Sequence, residues 1–261
     1  GACLDTDSRA ESIAVHVYDA DFRTLVRIEV GMGWAGKNIL PIAQAQRGVG
    51  ALYGLFVMVG VVVASWVTRT PALRDTLGAS TEQMGLVLFG LSVGSMLGIL
   101  SANAVTQRLH ARRTIGVGMT LVLLGMAIVT LGAVQGSQWM AFAGFFSFGV
   151  GMGWADIAMN VECAALERHL DRTLMTTLHG CFSLGTLLGA LLGMAMVHWG
   201  VSLGWHWLVV LIGSIAVTYP MVRVVPNLSA QGATASGAAA EGESAGQSSF
   251  LVAFKDRRVL L

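Results

Sequence analysis

The chain has 261 residues, of which 54% are hydrophobic and only 12% charged, with a net charge of +1. A soluble domain carries about twice that charged fraction, so an ordinary water-soluble fold is excluded, and no basic run points to nucleic acid. The three cysteines, Cys3, Cys163 and Cys181, form no C-x-x-C pair and leave one unmatched, against a disulfide framework or a zinc site.

Residues 1–47 carry charges throughout and have no apolar core of a signal peptide. They are expected to form an atypical, poorly ordered cytoplasmic tail, and Gly1 in place of Met reads as an unnatural start. Gly31-Met-Gly-Trp-Ala-Gly36 matches G-x-G-x-x-G. A dinucleotide site needs a helix after that motif and an acidic residue about 20 positions on. Here Pro41 interrupts the next segment and the following stretch is apolar, so no cofactor is expected.

A bilayer core of ~30 Å is crossed by about 20 apolar residues in a helix. Gly48–Val67 and Met84–Val105 are uncharged runs of that size. Thr114–Ala155 is broken at Gln135–Gln138, and Thr173–Val222 is broken at Gly200–Gly204, so each long run reads as two spans and a tight turn. Period-2 alternation is absent, which favours helices over a barrel. The expected fold is all-α: a polytopic membrane bundle with six transmembrane helices, at about 48–67, 84–105, 114–134, 138–160, 177–199 and 205–222 within a domain of residues 48–222. Residues 223–249, rich in Gly, Ala and Ser, read as a flexible cytoplasmic linker. Residues 250–261 read as the start of a truncated seventh span.

Lys and Arg in short loops orient such a bundle. Arg108, Arg112, Arg113, Arg168, Arg172 and Arg223 follow the even-numbered spans, whereas Arg69 and Arg74 lie on the other side. This places the amino terminus and residues 223–261 in the cytoplasm, with the protein in a bacterial inner membrane. Trp66, Trp139, Trp199, Trp205 and Trp207 fall at outer span ends, where an aromatic belt is expected.

Small residues mark helix-packing seams in lipid. Gly94 and Gly98 continue a four-residue repeat in the second span, Gly149 and Gly153 in the fourth, and Gly185, Gly189 and Gly193 in the fifth. The seams serve either static packing or the sliding of helices during a transport cycle. Asp156 is the sharper signal, because a carboxylate inside a membrane costs of order 3 kcal/mol. Gly149, Gly153, Asp156 and Asn160 share one helix face. An acid on a Gly-lined seam can bind and release a proton; the alternative is that Asp156 meets water or a loop arginine at the last turn. Glu162, at the membrane boundary, is a candidate for gating or a loop salt bridge. His179 can hydrogen-bond a substrate, relay a proton or simply pack. His198 and His206 read as interfacial. Arg69, a substrate-pathway candidate with Trp66, either attracts anions or fixes the outer mouth, or else snorkels. Arg108, Arg112 and Arg113 either clamp helix ends as a cytoplasmic gate or set topology alone. No Ser-His-Asp arrangement, P-loop or metal-ligand cluster is visible, so no enzyme or ATP-driven pump domain is expected.

Three stretches carry a resemblance: Ala64–Arg74 at the end of the first span, Gly149–Asn160 in the fourth and His179–Gly185 opening the fifth. From about Arg47 to Leu261 the chain resembles the amino-terminal half of the major facilitator superfamily, and within it the fucose-permease-like sugar–proton symporters. The resemblance implies twelve spans in two six-helix halves, with the substrate site between them. It implies that Asp156 stands where sugar–proton symporters carry a coupling carboxylate, with Asn160 one turn on and His179 in a polar, substrate-facing place. The family's second loop reads G-x-x-x-D-R-x-G-R-R; here Asn103 and Gln107 replace its first Gly and its Asp, while Arg108, Arg112 and Arg113 remain. The first span has no carboxylate, and the amino tail does not match.

The expected function is therefore alternating-access, proton-coupled transport of a small molecule, a sugar by analogy, with the chain as one half. The implied partners are the lipid bilayer, a small-molecule substrate, the proton, and a missing carboxy-terminal half or second subunit. The competing readings are a half-transporter working as a dimer and a non-transporting membrane protein or inactive gene fragment.

Overall fold

A computed structural model describes residues 40–229. The amino tail with its glycine motif, and the linker and last segment from residue 230 on, lie outside these described residues. Among the described residues seven complete helices follow one another: α1 (Ile42–Val67), α2 (Thr70–Leu77), α3 (Thr81–Leu109), α4 (Ala111–Gln135), α5 (Gln138–Leu170), α6 (Met175–His198) and α7 (Leu203–Val224). All but α2 are long and apolar enough to cross a membrane. The chain is thus an all-α polytopic membrane bundle, and no strand occurs among the described residues.

Local chemistry sets the helix ends. Pro41 precedes the first turn of α1. Ser80 and Gln83 close a capping box at α3, with the Gln83 N–H donating to Ser80 Oγ at 3.2 Å and the Ser80 N–H donating to Gln83 Oε1 at 2.8 Å. Gly78 ends α2 and Gly136 ends α4 in the left-handed region, at φ 59° and 65°, where a side chain would be strained. α2 is a short amphipathic helix that the apolar runs do not reveal; its Leu73 and Leu77 are buried while Arg74 and Asp75 pair at the surface.

Several helices outrun their apolar stretches. α5 continues ten residues past Asn160 because no Gly or Pro interrupts Val161–Leu170. At 1.5 Å per residue its 33 residues measure about 50 Å, more than the hydrocarbon thickness, so its last turns project from the membrane.

Neighbours pack in the order α3, α5, α4, α7, α1, α6, while α5 touches α1 and α6 only sparsely. Glycine permits the closest approaches. A Cβ on Gly98 of α3 would lie 2.6 Å from the Val150 carbonyl oxygen of α5, and one on Gly153 of α5 would lie 2.6 Å from the Ile99 nitrogen of α3. Gly94 and Gly149 abut the same pair of helices. Gly185, Gly189 and Gly193 meet α1 at Val57, Val61 and its end at Thr68. The four-residue repeats are therefore backbone-to-backbone contacts of α3 with α5 and of α1 with α6.

Candidate functional site

Asp156 lies 18 residues into α5, about 27 Å along and near its middle, whereas His179 lies four residues into α6, about 6 Å along. Asp156 and Asn160 are half-buried. The Asn160 amide donates to the Asp156 carboxylate at 3.2 Å and to its backbone oxygen at 2.9 Å. The carboxylate is within Coulombic reach of His179, an exposed residue whose ring packs edge-on against Phe56 of α1 at 5.8 Å. Asp156 and Asn160 thus form a hydrogen-bonded polar pair on α5, within Coulombic reach of His179 of α6. The glycine stripe leads into it: Gly149 and Gly153, on the helix face that carries Asp156, press on α3. Trp154, not singled out in the sequence, ties this part of α5 to α3 by donating from Nε1 to Ser101 Oγ at 2.8 Å. An indole beside a buried acid was the available signal.

Glu162 belongs elsewhere. It is fully buried, and its carboxylate accepts from the Leu228 N–H at 2.6 Å, the Ser229 N–H at 3.3 Å and the Ser229 hydroxyl at 2.7 Å. In place of a loop salt bridge it fixes the segment that follows α7. Glu167, one further turn along, accepts from the Leu174 and Met175 N–H groups and so caps α6, whose own N-cap residue supplies no side-chain bond.

The opposite end corrects several expectations. Arg69 does not snorkel; it is 6% exposed and its guanidinium donates to the Val201 carbonyl, bracing the α6–α7 turn against the end of α1. Burial lowers its pKa from the ordinary value. Trp66 packs edge-on against Phe145 and Phe148 rather than sitting in an aromatic belt. Trp207 is buried and donates to the Ser65 carbonyl at 3.3 Å. His206, expected at the interface, is wholly buried within Coulombic reach of Arg69. Trp139, Trp199 and Trp205 remain exposed, as a belt requires. The physical reason is the helix period: Trp205 and Trp207 are two residues apart and so point in different directions.

Arg108, Arg112 and Arg113 are all exposed at the α3–α4 turn. Neither their side chains nor that of Arg223 has a hydrogen bond or ion pair among the described residues, so these side chains form no clamp on a helix end there. The first turn of α4 is held instead by Asn227, whose Oδ1 accepts from the Arg112 N–H at 3.0 Å.

Six apolar spans with a half-buried carboxylate and amide on one of them and an exposed imidazole on another define an integral membrane bundle that carries polar groups within its spans. The profile of the Major Facilitator Superfamily matches residues 51–261. The chain belongs to that superfamily, a family of membrane transporters. It is 29% identical over 135 residues to an uncharacterized MFS-type transporter of Yersinia pestis, a match covering 52% of this chain and 34% of the relative. It is 28% identical over 144 residues to the uncharacterized transporter y4wD of Sinorhizobium fredii, covering 55% of this chain and 37% of the relative. The membrane protein MosC of Rhizobium meliloti is 25% identical over 134 residues, covering 51% and 32%. The matched stretch thus spans about a third of the length of each of these relatives.

Proposed function

We propose that the chain is the amino-terminal six-span half of a proton-coupled secondary transporter, in which Asp156 carries the proton. The observation that supports this reading is the grouping of Asp156, Asn160 and His179 from two spans at the loosely packed meeting of α5, α1 and α6. A carboxylate in that setting is expensive to keep unless it is used. Its partial exposure gives a proton a way on and off, and the Asn160 amide holds the side chain in one orientation. The other wall of the substrate site is a second six-span bundle, in the same polypeptide or a partner subunit. The substrate class is a small polyhydroxylated molecule, an assignment resting on the resemblance to fucose-permease-like symporters. The arginine bias places the Asp156 end, with Arg108, Arg112 and Arg113, on the cytoplasmic side of a bacterial inner membrane.

The test uses the chain joined to its second bundle in right-side-out vesicles. Uptake of the transported sugar rises with an imposed inward proton gradient, and Asp156→Asn abolishes that dependence while leaving substrate-driven counterflow. Gradient-driven accumulation that persists in Asp156→Asn refutes the assignment.

A further inference from the structure

A groove of about 530 Å³ runs between α4 and α7, lined at one end by Arg112, Arg113 and Arg223 and further along by Val117, Leu121 and Tyr219. We propose that this groove is a binding site for one anionic phospholipid, with the headgroup phosphate on the three guanidiniums and an acyl chain along the apolar floor.

The two ends of the groove have different chemistry at different depths. Arg112 and Arg113 open α4, and Arg223 sits one residue from the end of α7, so the cations lie at headgroup level. Leu121 is eight residues beyond Arg113, about 12 Å deeper into the hydrocarbon. Val117 is exposed and Leu121 partly so. Tyr219 shares a hydrogen bond with Thr120 at 2.9 Å, which satisfies its phenol and leaves the ring as floor.

Among the described residues this charge is unpaired: no carboxylate lines the groove, and none of the three arginine side chains has a hydrogen bond or ion pair. The free N–H groups of the α4 terminus are not the attraction, because Asn227 accepts from the Arg112 N–H. Guanidinium groups match phosphate oxygens in geometry as well as charge, and basic pockets between spans at the membrane surface select anionic headgroups. A free phosphate would satisfy only the arginines; the apolar extension of the groove specifies a lipid.

The protein in mild detergent is titrated with phosphatidylglycerol, with phosphatidylcholine of the same chains, and with inorganic phosphate, and retained lipid is counted by native mass spectrometry. Phosphatidylglycerol binds at one saturable site and phosphatidylcholine does not. Each arginine near an anionic headgroup contributes roughly five-fold in affinity, so R112Q/R113Q/R223Q weakens binding about 100-fold. Val117→Trp fills the groove with all charges intact and also blocks binding; Arg223→Gln alone gives about a five-fold loss and serves if the triple variant does not fold. Equal retention of both lipids, unchanged binding in the arginine variants, or full binding by Val117→Trp overturns the proposal. Displacement of the lipid by equimolar inorganic phosphate makes the site an anion site only. A dimer lost in R112Q/R113Q/R223Q assigns the groove to a second copy. Either of these outcomes also overturns it.

Discussion

Gly153→Ala and Gly213→Ala are the same chemical change in two lipid-embedded helices, and the structure predicts opposite outcomes. A Cβ at Gly153 would lie 2.6 Å from the Ile99 nitrogen and 2.7 Å from the Gly98 carbonyl carbon, both backbone atoms that no rotamer change can move. Ordinary contact starts at 3.4 Å, so α3 and α5 must part by close to 1 Å. A gap of that size forfeits a quarter to a half of each dispersion contact along the seam, and overpacking of this kind costs about 1–3 kcal/mol. The gain in helix propensity from Gly to Ala, about 1 kcal/mol, offsets only part of it. At Gly213 a Cβ meets nothing within 4 Å, so only the propensity gain remains. Gly153→Ala should lower the midpoint of thermal unfolding in detergent by a few degrees and Gly213→Ala should raise it slightly, at about 2–4 °C per kcal/mol for a bundle of this size. Equal shifts, or a Gly153→Ala protein as stable as the parent, would refute backbone contact as the role of the seam.

Glu162→Ala leaves the Leu228 and Ser229 N–H groups without their acceptor, at a cost of about 1–3 kcal/mol. Hydrogen exchange should quicken at those two amides while the middle of α5 stays protected, and Glu162→Gln should recover part of the protection. Arg69→Met removes the donor to the Val201 carbonyl, so limited proteolysis at the Gly200–Ser202 turn should accelerate; an unchanged cleavage rate refutes the brace. His206 is fully buried with neither ring nitrogen hydrogen-bonded among the described residues, so His206→Leu should raise the thermal midpoint, by about 1 kcal/mol or more in stability. A lower midpoint would reveal a polar partner for the ring.

The fold was legible because lipid leaves few choices. Uncharged runs such as Gly48–Val67 and Thr114–Ala155 admit only helices, and the Gln135–Gln138 and Gly200–Gly204 breaks are turns for the same reason. The glycine repeats identified seams, but not their partners. Which helix lies against Gly98 depends on how six similar cylinders are ordered, and a spacing of four carries no information about that. α2 escaped notice because eight residues with two buried leucines are too short and too polar to stand out beside apolar runs three times as long.

The site was legible where the cost of burial speaks for itself and illegible where a tertiary partner decides. Asp156 and Asn160 stand one turn apart on a continuous helix, so their hydrogen bond follows from the sequence. The approach of His179 from α6 does not, since 23 residues and a turn separate it from Asp156. Glu162 and Asp156 look alike in the sequence, two acids six residues apart at the end of one span. Six residues are one and two-thirds turns, so the two carboxylates leave α5 about 120° apart. One meets the loose junction with α1 and α6, where a half-exposed acid can exchange protons. The other meets the chain returning after α7, where two N–H groups and a hydroxyl occupy it. An acid saturated by backbone donors is a structural anchor, and an acid held by a single amide is free to do chemistry.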